Sequence, residues 1–382
     1  MNELKQTLTE RRRQTRNRVY RCIFSADEPV SKQEIAGGLG LSLPTGHQNI
    51  TELMEAGLVR DGERKMSTGG RPPMGYEADE RVRFAAGILL TADRADFLAA
   101  DLKQQPIARK TVALPKGPDD ITGELLKEEL SRFFAEQELD ESRLLGVGVS
   151  VPAAADMENG KTGPSAVPLL GDLSVRSLMR AFPWKVQVET AGSSGGRAEW
   201  LAEQRRHPEQ PEDFVFLSLD NEVGGSVFFG GKPYQGIHRR SAEFGHLCVE
   251  PRGLRCRCGR KGCLEAYCST LRIGERIGTT PDRFFKALTN GENAKYAALW
   301  LDLLNHLAIG IHNIHMAFDC RIVLGGRLTE YLMPYMNELR DLVSELDPFS
   351  EDTDYLAAAQ NPGEGALVGV TWHFISDFLD SI

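Results

Sequence analysis

The 382-residue sequence has no apolar run of membrane-spanning length, which would need about 20 consecutive apolar residues. Its first residues, MNELKQTLTERRR, are polar from the outset and hold no signal-peptide core, so a cytoplasmic protein without a membrane partner is expected. Positive charge is not in excess either. Lys and Arg number 45 against 54 Asp and Glu, and the net charge of −9 disfavours a general affinity for polyanions. Any contact with nucleic acid must be local. No repeat of solenoid length and no low-complexity tract is present. Cysteine is sparse, with seven residues, yet five of them lie between Cys248 and Cys268 while Cys22 and Cys320 stand alone. In a reducing compartment that clustering points to a metal before disulfides. What is present, 41% hydrophobic and 26% charged residues, is an ordinary globular composition long enough for two or three domains.

Charge divides the chain. Residues 1–83 hold 14 Lys/Arg against 12 Asp/Glu, a net of +2, and the remainder carries −11. The basic residues concentrate in RRRQTRNRVYR, which includes Arg12, Arg13 and Arg16. Taken alone, such a run is a solvated helix face. The segment after it changes the reading. Ser31 can cap a short helix that turns Ile35, Ala36 and Leu39 inward, and Gly40 can end it. Ser42 can cap a second helix running to Ala56, so the pair forms a helix-turn-helix. In that second helix Leu43, Gly46, Ile50, Leu53 and Gly57 share an inner face. Pro44, Thr45, Gln48 and Glu52 share the outer one, with His47 and Asn49 on the flanks.

Beyond Gly57, LVRDGERKMSTGGRPPMGYEA reads as two short strands around a basic loop, the wing of a winged helix. Its tip holds Gly69, Gly70, Arg71 and Pro72, and an arginine held by a rigid proline suits a narrow A·T-rich minor groove. Thr45 and Gln48 are the residues expected to read base edges, Arg71 to enter the minor groove, and Arg12, Arg13 and Arg16 to approach phosphates. The expected boundaries are 1–80 for this DNA-binding unit and 81–382 for an effector and oligomerisation domain.

The larger part alternates strands and helices: FAAGILLTA, ADFLAADL, LLGVGVSVP, KVQVET, DFVFLSL, GGSVFFGG and CRIVLGG, with helices over 121–138 and 292–317. That pattern predicts an α/β architecture of two lobes with a cleft between them. The strongest chemical signal is AEFGHLCVEPRGLRCRCGRKGCLEAYCS. His246, Cys256, Cys258 and Cys263 match the Cys3His ligand set of a closed structural zinc site. Gly253, Gly259 and Gly262 permit the turns that bring the ligands together. Cys248 and Cys268 are read as packing residues, with Cys248 as an alternative ligand.

These residues resemble the signature of the ROK family (repressors, open reading frames and sugar kinases): E-x-G-H followed by C-x-C-G-x-x-G-C-L-E. Here it comprises Glu243, Gly245, His246, Cys256, Cys258, Gly259, Gly262, Cys263, Leu264 and Glu265. The resemblance covers nearly the whole chain, since ROK repressors place a winged helix, often with an STGGRPP wing, before an actin-like, ribonuclease-H-like sugar-kinase fold. It implies that Glu243, His246 and Glu265 face sugar hydroxyls. Support of the metal ligands is the other role open to the two glutamates.

The departures separate kinase from regulator. Family kinases carry a V-E-N-D-A-N-type segment whose Asn holds the sugar and whose Asp is the general base. Here the stretch is Val188, Glu189, Thr190, Ala191, Gly192, Ser193. Thr190 can offer a hydroxyl, but Ala191 cannot accept a proton. The first phosphate loop keeps only Gly87. The second keeps Gly224 and Gly225 but carries Asp220 and Glu222 where a triphosphate would sit, and like charge opposes nucleotide binding. The expected protein is a sugar-responsive transcriptional regulator, a non-enzymatic repressor acting on double-stranded operator DNA. It is expected to bind structural zinc and to form a homodimer or homotetramer. The competing readings are a ROK sugar kinase with an added DNA-binding domain, and a regulator whose sugar pocket is dead and which answers to a protein partner.

Overall fold

The structure, a computed structural model, describes residues 2–64, 74–91, 94–115, 121–151, 155–156, 161–162, 175–207, 212–237, 241–291, 293–349 and 352–382. Arg71 and the rest of the expected wing tip lie outside them.

The N-terminal unit comprises α1 (Asn2–Phe24), β1 (Val30–Ser31), α2 (Lys32–Leu39), α3 (Leu43–Glu55), β2 (Val59–Arg64) and β3 (Met74–Ala78). The Ser31 side chain caps α2 in a reciprocal box with Glu34, and Gly40, at φ 64°, ends the helix. Ser42 caps α3 by accepting from Thr45 N. A helix-turn-helix is thus followed by the antiparallel hairpin β2–β3, and β1 adds to β3. Two inward assignments need correction. Leu43 is 52% exposed, because the first residue of α3 precedes the turn that meets the core, and Gly57 is exposed at φ 72°, where it turns the chain into β2. Asn49, placed on the flank, is instead buried, its amide donating to Thr45 O at 2.8 Å.

The first lobe contains β4 (Phe84–Leu90), β5 (Arg94–Asp101), β6 (Pro106–Ala113), α4 (Gly123–Glu136), β7 (Leu144–Val151), the short pair β8 (Ala155–Asp156) and β9 (Lys161–Thr162), α5 (Val175–Ala181), β10 (Val186–Thr190) and α6 (Ala191–Arg206). The second contains β11 (Phe214–Leu219), β12 (Val223–Phe229), β13 (Lys232–Tyr234), α7 (Glu265–Cys268), α8 (Thr270–Ile277), α9 (Pro281–Thr289), α10 (Ala294–Phe318), β14 (Arg321–Gly325), α11 (Arg327–Leu332), α12 (Met336–Ser344) and β15 (Leu356–Ala358). The chain ends with α13 (Gly365–Gly369) and α14 (Trp372–Ser381).

The two five-stranded sheets run β10-β7-β4-β5-β6 and β13-β12-β11-β14-β15. Each has an antiparallel meander of three strands, followed by two strands added in parallel on the other side of its first strand. The lobes are therefore one topology built twice, without a repeat in the sequence. β4 is buried at all seven positions, as a central strand covered on both faces must be. Each lobe has its own core, around Phe97, Phe133 and Val149 in the first and Leu217, Leu264 and Leu304 in the second.

A third core crosses the expected boundary near residue 80. Val19, Tyr20, Ile23, Ile50 and Leu53 pack with Ala85, Leu102, Phe374, Ile375, Leu379 and Ile382. The N-terminal unit is thus seated on α14 and on the first lobe. Each of the Val, Leu, Ile and Phe side chains contributes about 1.5–3 kcal/mol on burial. Among the described residues no helix is long and apolar enough to cross a membrane.

Candidate metal centre and cleft

The ligating atoms of His246, Cys256, Cys258 and Cys263 all lie within 4.8 Å of one another. Cys258 Sγ is 3.7 Å from Cys263 Sγ, and Cys256 Sγ is 3.9 Å from His246 Nδ1. Sulfur ligands about 2.3 Å from one ion, at tetrahedral corners, stand about 3.8 Å apart. The four side chains therefore fit a metal in both chemistry and spacing. Backbone hydrogen bonds hold the loop in this arrangement. Cys256 N donates to Arg260 O, Gly259 N to Cys256 O, and Gly262 N to Leu254 O. Gly259 and Gly262 take φ of 89° and 78°, and a Cβ on Gly262 would fall 1.8 Å from Glu250 O. Tyr267, stacked on His306 of α10, accepts Leu254 N at 2.8 Å and ties the loop to the second lobe.

Burial pushes the Cys256 thiol well above its usual range and the Cys263 thiol up to about 11. Desolvation acts the same way on Cys258, but the Arg260 N–H and the neighbouring thiols outweigh it and hold that group low. Cys268 is buried and its thiol faces Leu303 O, as a packing residue should be. Cys248, also read as packing, is exposed: it bridges Cys263 through the backbone, which leaves its side chain outside the cluster.

The polar residues expected at the cleft gather around β12. Glu265, at the start of α7, is buried, with Oε2 accepting from Val223 N at 3.4 Å and Oε1 3.6 Å from Cys256 Sγ. It therefore touches both the metal cluster and the strand. Glu243 is half-buried and leads the 3-10 turn Phe244–His246, which packs on β12 so tightly that a Cβ on Gly245 would meet Val223 O at 2.1 Å. From the first lobe, α6 starts against the same strand: Ser226 Oγ donates to Gly192 O at 2.9 Å. Thr190 is the N-cap of α6. Its hydroxyl accepts from Ser193 N and donates to Ser193 Oγ, so the expected free hydroxyl is already engaged. Asp220 is turned inward. Its carboxylate accepts from Asn221 N and Arg327 N, while desolvation pushes its pKa up.

On the N-terminal unit, Thr45 and Gln48 stand exposed on α3, where Gln48 Nε2 donates to Glu52 Oε1. Arg12 is exposed and Arg13 pairs with Glu10. Arg16 differs from its expected phosphate role: its Nε and Nη2 donate to Ile382 O at 3.0 and 2.8 Å. Half-buried against the C-terminal helix, it is not on the solvated face. Sequence patterns also missed Glu189, Arg197 and His373, whose side chains meet beside the start of α6. His373 lies far along the chain, and no local spacing marks it.

A helix-turn-helix unit seated on a duplicated α/β fold, with a Cys3His cluster beside β12 of the second lobe, defines a two-lobed protein with a kinase-like fold. Residues 85–376 match the ROK family model, and the chain belongs to the ROK family. The xylose repressor of Bacillus subtilis (strain 168) is 22% identical over 363 residues, covering 93% of this chain and 94% of that protein. The kanosamine kinase of Amycolatopsis mediterranei (strain S699) is 34% identical over 235 residues, covering 59% of this chain and 73% of the kinase. The crystal structure of a ROK family transcriptional regulator, a homolog of the E. coli MLC protein, superposes with a TM-score of 0.72. Its identity is 18%, with 96% of this chain and 98% of that one covered.

Proposed function

We infer that this protein is a sugar-responsive, DNA-binding transcriptional regulator, a repressor that works as a homodimer in the cytoplasm on a palindromic operator. The observation that carries the reading is the exposed outer face of α3 in a helix-turn-helix that precedes the ROK fold, in a chain similar to a xylose repressor over 93% of its length. Residues 1–80, completed by α14, form the DNA-reading unit, and 81–382 the effector domain. Thr45 and Gln48 read base edges, Arg71 enters the minor groove, and Arg12 and Arg13 neutralise phosphates. Zinc held by His246, Cys256, Cys258 and Cys263 shapes the cleft wall from which Glu243, His246 and Glu265 meet sugar hydroxyls, while Thr190 bounds the other side.

Selection of genomic fragments by the full-length protein tests this, and failure to enrich any sequence would refute it. Gln48 must exchange Glu52 for a base. Gln48→Ala should therefore relax discrimination at one base pair by about 1–3 kcal/mol, read as relative affinities for single-base operator variants.

The second reading, a sugar kinase, is favoured by the 34% identity to kanosamine kinase. Against it stand Ala191 at the general-base position, Thr190 committed to capping, and the inward Asp220. A missing general base lowers rate about 10²- to 10⁴-fold. A coupled ATPase assay with a sugar panel should show no turnover, and Ala191→Asp alone should not restore full activity. Robust turnover by the parent protein would establish the kinase.

A further inference from the structure

The C-terminal segment touches three parts of the molecule without intervening side chains. A Cβ on Gly87 would fall 2.5 Å from Leu367 O, on Gly148 2.3 Å from Val370 O, and on Gly369 1.8 Å from Ser194 O of α6. Backbone lying on backbone has no rotamers with which to slide, so α13 moves with the first sheet and with α6. At the start of α14, His373 Nε2 lies 3.5 Å from Glu189 Oε1 and 3.5 Å from Gln187 Nε2. Glu189 immediately precedes Thr190 and is held from the other side by Arg197 of α6 at 3.2 Å. At the far end of α14, Asn17 Nδ2 donates to Leu379 O at 2.5 Å, Arg16 donates twice to Ile382 O, and Arg21 pairs with Asp380. Between the two ends, Phe374, Ile375 and Leu379 share a core with Val19, Tyr20 and Ile23 of α1. From His373 to Ile382 the rise is about 14 Å.

We propose that α14 is the strut that carries the state of the cleft to the DNA-reading unit, with His373 as its cleft-side contact and Arg16 and Asn17 as its hold on α1. Its use in sensing rests on the regulator reading above. The link itself does not. Glu189 adjoins the cap of α6, so a ligand that shifts the start of α6 changes the partner of His373, and α14 transmits the change as a rigid body. Coupling of this kind needs an element that both sites bias, and α14 is held at both.

Hydrogen exchange on the full-length, sugar-free protein tests the link. His373→Ala should speed amide exchange at residues 16–24 of α1 at least fivefold while the β11–β15 sheet keeps its protection, and His373→Gln should restore α1 to within twofold. Should His373→Ala lower protection everywhere, Asn17→Ala serves instead, with faster exchange expected at Gln187–Thr190. Unchanged exchange at the distant end in both variants overturns the strut.

D-xylose and N-acetyl-D-glucosamine are then the probes for its use. Where either alters affinity for a selected DNA fragment, the change should fall below twofold in R16A/N17A protein that still binds the sugar with parental affinity. A full response in that variant also overturns the proposal. Parental protein that ignores both sugars counts against the sensing reading, and exchange alone then decides the strut.

Discussion

Protein carrying Cys258→Ser is expected to hold well below one zinc per chain and to melt on the order of 10 °C lower than the parent. Cys258 is one of four ligands whose atoms lie within 4.8 Å of one another, and serine offers a harder, far less acidic donor. The unfolded chain has no preformed site, so metal binding free energy is folding free energy. The consequences reach the cleft. Glu265 lies 3.6 Å from Cys256 Sγ and accepts from Val223 N, and His246 sits on the turn that packs against β12. A collapsed metal loop therefore removes two of the residues assigned to the sugar. Zinc content by elemental analysis and melting by circular dichroism check the prediction together. Purified, unchelated parent protein with no zinc would overturn it.

The His/Cys3 cluster was legible because its determinants are local: four candidate ligands within 18 residues and glycines at the turns. The helix caps were legible for the same reason, since Ser31, Gly40 and Ser42 act within one turn. Less was legible where the determinant is distant or short. β6, an edge strand with an exposed, charged pattern, lacks the continuous apolar run that marked the central strands, and β15 is apolar but only three residues long. Arg16 reads as one of several solvated arginines, and only the return of Ile382, 366 residues later, gives it a partner. The duplicated sheet left no trace as a repeat, because only the order of its strands is shared, not the side chains that fill each core. By sequence alone Gly87 is the one glycine kept from the first phosphate loop. In the fold it faces Gly148 across β4 and β7, and together they form the bare floor on which α13 rests.

That floor underlies the second large effect. Gly148→Val is expected to lower stability by at least about 3 kcal/mol, the upper end of ordinary overpacking, as measured by urea unfolding. The position offers no escape. Its Cβ would lie 2.3 Å from Val370 O and 2.8 Å from Val370 C, so the obstruction is main chain and no rotamer change relieves it. β7 cannot retreat, because Gly148 pairs with Gly87 on one side and Gln187 on the other in the middle of the sheet. α13 cannot retreat either, since Gly369 already lies against Ser194 O with no room for a side chain between them. Gly224→Ala is the matched control: no atom lies within 4 Å of its Cβ, and its cost should stay within about 0.5 kcal/mol. Equal effects at the two positions would mean that strand propensity, not contact with α13, sets the requirement for glycine. A large cost at Gly148 alone would show that the C-terminal segment is clamped to the sheet, the mechanical condition for α14 to move with the cleft and take α1 with it.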